Sequence, residues 1–85
     1  MGEWNFDRKQ CIRALLRLGF VANNKRHGQH DKFDVPIDFR DKLSSGVPPF
    51  IMIPRHKELR LQNKIVKEIE IIGGVELVEK FRQSL

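Results

Sequence analysis

Three histidines, His27, His30 and His56, stand among basic residues in the middle of an 85-residue chain. Imidazole has an ordinary pKa of about 6.5, so it can give or take a proton near neutral pH. Lys25 and Arg26 lie just before His30, Lys32 just after it, and Arg55 and Lys57 flank His56. Cations in this pattern attract phosphate oxygens. Gly28 has the residue type that closes a turn, and it also lets backbone N–H groups approach an anion. The same local sequence fits an exposed strand-edge histidine without a chemical role, and His27 and His56 read as surface residues. His27 and His30 with His56 or Cys11 have the ligand types of a zinc site. Cys11 falls on an apolar helix face, however, and His27-x-x-His30 opens a strand rather than a regular ligand scaffold, so neither metal nor cofactor is expected.

The chain length allows one domain, residues 1–85, with one core and a shallow site. With 40% hydrophobic and 32% charged residues it has the balance of a folded soluble protein, not of a disordered chain. No apolar run approaches the roughly 20 residues of a membrane span. The polar start has no signal-peptide core, and the lone Cys11 cannot form an internal disulfide, so a cytoplasmic location is expected. The net charge is +5, and its distribution is uneven. Residues 61–85 hold four basic and four acidic residues, whereas residues 19–60 hold eight and five. The excess therefore sits on the first helix and the middle of the chain, where a polyanion such as RNA would be drawn.

The elements that must position these residues follow from periodicity. A helix is expected over 7–18, with Asp7 as N-cap, Gln10 completing a capping box, and Gly19 ending it. Ile12, Leu15 and Leu16, joined by Cys11, form its apolar stripe; Arg8, Arg13 and Arg17 form a basic outer face. A strand over 20–23 and a polar turn over 24–28 lead to a second strand over 30–37. Alternation puts Asp31, Phe33, Val35 and Ile37 on the core face and His30, Lys32 and Asp34 on the other. A loop spans 38–49. The apolar run 50–53 suits a central strand, ended by Pro54. A helix over 61–72 packs through Ile65, Val66, Ile69 and Ile72, Gly73-Gly74 stops it, and a last helix over 75–83 packs through Leu77, Val78 and Phe81. Lys64, Lys67, Glu68 and Glu70 make a mixed charged face that needs only water. Trp4 and Phe6 are expected to pack beside the first helix rather than stack on bases. The expected class is α+β, a three-stranded antiparallel sheet with helices on one face, in the order α-β-β-β-α plus a C-terminal helix.

Three segments in this order resemble the HicA-like (YcfA-like) toxin family. They are Leu15-Leu16-Arg17-Leu18-Gly19-Phe20-Val21, then Gly28-Gln29-His30-Asp31-Lys32-Phe33, then Ile53-Pro54-Arg55-His56-Lys57-Glu58-Leu59. The first is similar to the family's helix, Gly-Phe and strand; the second to its Gly-Ser-His motif; the third to its strand, Pro-x-His and passage into the second helix. The resemblance implies a fold like a double-stranded-RNA-binding domain. It also implies a toxin that cleaves mRNA, is neutralised by a HicB-like antitoxin, and has its active histidine at His30. The chain departs from the family in two respects: Gln29 stands where a small hydroxyl residue is usual, and the 38–49 loop is longer.

RNA carries its own nucleophile, the 2′-OH, so its cleavage needs a base, an acid and cations around the phosphate rather than a metal. On this reading His30 is the acid or the base. Lys25, Arg26, Gly28 and Lys32 hold the phosphate, and Arg55 and Lys57 hold a flanking one. Two other readings suit the same basic surface: a non-catalytic RNA-binding domain of the same fold, and an interaction protein that docks an acidic partner.

Overall fold

The structure is a computed structural model and describes residues 4–23, 30–55 and 61–85. Asp7 opens the first helix, α1 (Arg8–Arg17), through the expected capping box. The Gln10 backbone N–H donates to the Asp7 carboxylate at 2.7 Å, and the Asp7 N–H donates to the Gln10 side-chain oxygen at 2.9 Å. At the other end Gly19 takes φ +98°, a conformation that costs glycine little. The Phe20 N–H reaches the Leu15 carbonyl at 3.0 Å and the Gly19 N–H reaches that of Leu16 at 3.1 Å, the paired bonds of a Schellman stop.

Three antiparallel strands follow: β1 (Val21–Asn23), β2 (His30–Asp34) and β3 (Phe50–Pro54). They lie in the order β1-β2-β3, so β2 is central and β3 is an edge. This corrects the expectation of a central third strand. The apolar run of β3 has another cause: Ile51 and Ile53 are buried in the core, while Phe50 and Met52, on the other face, are half-buried beside Pro48 and the last helix.

β2 is shorter than expected. Pro36 has no N–H to continue a ladder, and the Val35 N–H bonds the Pro49 carbonyl at 3.0 Å instead. The chain then turns into a short helix, α2 (Ile37–Arg40), which leaves Ile37 74% exposed rather than in the core.

The last helical segment, α3 (Gln62–Ser84), is broken at Gly74, where φ is 74° and ψ −171°, into the two helices that periodicity anticipates. Both halves and α1 cover one face of the sheet. Phe33, Ile51 and Ile53 meet Cys11, Ala14 and Leu15 of α1 and Ile65, Ile69, Leu77 and Phe81 of α3 in one core. Phe6 joins this core, its ring centroid 5.4 Å from that of Phe81, with Trp4 against both rings. Leu16 is 49% exposed, which corrects its place in the α1 stripe: the buried positions are Cys11, Ala14 and Leu15, and Leu16 sits on their rim.

Candidate nucleic-acid interface

The strand registers lay out the face that the helices do not cover. Val21, Asp34 and Phe50 form one row across the three strands, Asn23, Lys32 and Met52 the next, and His30 and Pro54 the last. His30 is exposed and Phe33 buried, as alternation requires. Asp31 faces the helices, again as expected. There it pairs with Arg8 and accepts from the Arg55 Nε at 2.9 Å.

That cluster changes the place of two cations. Arg8 was expected on the outer face of α1. Instead its guanidinium turns inward, with the side chain 26% exposed, and donates to Asp31 and, from Nε at 2.9 Å, to the Pro54 carbonyl. Arg55 bonds Asp31 on the side of the sheet opposite His30, so the structure does not bring it to the histidine. Lys32 does share His30's face. Its Nζ lies 4.4 Å from the centroid of the Phe50 ring, a cation–π contact that fixes a positive charge on the open sheet. Asn23 Nδ2 donates to Asp34 at 3.1 Å in the next row. Lys25, Arg26, Gly28 and Lys57, with His27, Gln29 and His56, lie outside the described residues.

His30 opens onto a cleft of about 210 Å³ between β3 and the first half of α3. Its sheet wall is His30, Phe50, Met52 and Pro54, and its helix wall is Leu61, Lys64, Ile65 and Glu68. A second cleft of about 270 Å³ continues from it, sharing Pro48, Phe50 and Glu68 and ending among Val47, Ile71 and Ile72. Together they make a groove with a polar end at His30 and an apolar end at the 38–49 loop.

Glu68 was expected only as part of a solvated helix face but is half-buried at the cleft, the main correction to the site, whereas Lys64, also on the cleft, is exposed as expected. They lie one helical turn apart and flank Ile65 and Ile69 of the buried stripe. A charged pair on the rim of a core stripe must lie beside whatever that stripe packs on, which is the available signal. Burial raises the pKa of the Glu68 carboxyl above its ordinary value, and the charge of Lys64 opposes the shift.

A third surface depression lies on the outer side of α1, lined by Ile12 and Leu16 with Lys9, Arg13 and Arg17 around them. Arg17 also donates to the Ser84 carbonyl at 3.1 Å, joining α1 to the end of α3. Cys11 is fully buried, and desolvation pushes its thiol up to about 12, against a smaller opposing effect of Arg8. Among the described residues no three His, Cys, Asp or Glu side chains come together as a metal ion would require, and no helix is long and apolar enough to cross a membrane. No family model, curated protein or solved structure matches the chain.

Proposed function

We propose that this chain is a metal-independent endoribonuclease of the HicA-like kind, a toxin that cuts mRNA at His30 and is held in check by a HicB-like antitoxin. One observation carries the reading: an exposed histidine at the start of the central strand opens into a cleft that also holds Lys64, with Lys32 on the same sheet face. Imidazole supplies proton transfer, the lysines supply charge for the phosphate, and the apolar end of the groove accepts a neighbouring nucleoside. The order of elements, with a meandering sheet and helices on one face, is compatible with a double-stranded-RNA-binding-domain-like fold in which α2 is an insertion.

Inducible expression tests this. The chain should arrest growth, and His30→Ala or co-expression of an adjacent antitoxin gene should relieve the arrest. Full toxicity of His30→Ala would remove His30 from the chemistry. The second reading, RNA binding without cleavage, draws on the long loop, whose Val47 and Pro48 border the groove. It predicts salt-dependent RNA binding with the RNA left intact.

A further inference from the structure

A cut at the 2′-OH moves two protons, and a single histidine accounts for one of them at a time. The 2′-oxygen attacks phosphorus on the side opposite the departing 5′-oxygen. The base and the acid therefore belong on opposite sides of the phosphate. The cleft at His30 has that layout: His30 stands on its sheet wall, and Glu68 and Lys64 stand on its helix wall.

We propose that Glu68 is the proton-transfer partner of His30: its carboxylate takes the 2′-OH proton while the His30 imidazolium protonates the leaving 5′-oxygen. The assignment rests on the nuclease reading of the same cleft and goes beyond it by naming both groups and their direction. The O2′–P bond forms as the P–O5′ bond breaks. The products are a 2′,3′-cyclic phosphate and a 5′-hydroxyl. No atom changes oxidation state, and no co-reactant is needed. Glu68 ends protonated and His30 neutral, and exchange with water restores both.

Glu68 suits the base role for two reasons. It sits where the polar and apolar ends of the groove meet, so a strand lying in the groove passes its carboxylate. Partial burial makes its carboxylate more basic than an exposed one, while Lys64, one turn earlier, favours the ionised form. Lys64 also offers a cation to the non-bridging phosphate oxygens. Among the described residues His30, Lys64 and Glu68 are the charged or titratable side chains that line this cleft; the loop and β3 contribute Pro48, Phe50, Met52 and Pro54.

The test is the pH–rate profile of RNA cleavage by the full chain, by Glu68→Gln, by His30→Ala and by Glu70→Gln, an exposed control on the same helix. The wild type should give a bell-shaped profile. Glu68→Gln should lower kcat by roughly 10²–10⁴-fold with KM little changed, and should lose the acidic limb. His30→Ala should leave the RNA uncut across the whole pH range, and Glu70→Gln should match the wild type. If Glu68→Gln keeps both the rate and the acidic limb while His30→Ala does not cleave, the pair is overturned and the nuclease reading stands. If the folded wild type leaves RNA intact at every pH, both are overturned. Circular dichroism confirms that each variant is folded.

Discussion

The two faces of the sheet use their polar residues in opposite ways. On the helix side, Asp31 is enclosed by Arg8 and Arg55, and the Arg8 Nε is also bonded to the Pro54 carbonyl. Those charges hold α1 to β2 and to the end of β3. On the other side, His30 is exposed, Lys32 rests on Phe50, and the cleft beyond β3 stays open. One alternating strand, His30–Asp34, supplies both sets. Successive residues thus alternate between the two faces, and the cations paired with Asp31 on the helix side are withdrawn from the open one. Arg8 and Arg55 are basic in composition but act as structural residues.

Substitutions on the two faces should therefore separate stability from activity. Phe81→Ala removes a fully buried ring from the core and should cost about 3–5 kcal/mol, a large share of the stability of a domain this small, measured by urea unfolding. Val21→Ser, on the open face where Val21 is 56% exposed, should stay within about 0.5 kcal/mol. An equal loss at both positions would mean that the open face supports the fold as much as the core does. Asp31→Asn should cost about 1–3 kcal/mol by the same measurement, because it leaves two guanidinium groups without their carboxylate. An unchanged midpoint would mean that the cluster contributes little.

The smallest effect is one of sign. The pKa of the Glu68 carboxyl is raised in the folded chain. A raised pKa means that the protonated form is favoured by folding, so that stability is present at low pH and lost as pH rises through the folded value. Glu68→Gln, which stays neutral, should thus be slightly more stable than the wild type at pH 8 and equal to it at pH 3, by thermal melts. A melting temperature lowered at pH 8 would show that the carboxylate supports the fold instead of the cleft.

Much of this was legible in the chain. The caps of α1 follow from Asp7, Gln10 and Gly19, whose chemistry is local, and so does the break at Gly74. Strand alternation places His30 opposite Phe33 without knowledge of what covers either. What was not legible depends on contacts between distant segments. Arg8 looks like an outer-face cation because its partners, Asp31 and Pro54, come from other elements. The apolar residues of β3 suggest a central strand because helix contacts shelter Phe50 and Met52 as a neighbouring strand would. Glu68 reads as solvated because helical spacing places it on a rim without saying what lies across it.

The proposed nuclease cuts RNA through His30 on the open face of the sheet. The most direct measurement is incubation of a 5′-labelled single-stranded RNA with the purified chain and with His30→Ala, in EDTA, followed by analysis of the new 3′ ends. The wild type should leave fragments ending in 2′,3′-cyclic phosphate, and His30→Ala none at equal folded concentration. Intact RNA with the wild type, or the same fragments from His30→Ala, would contradict this.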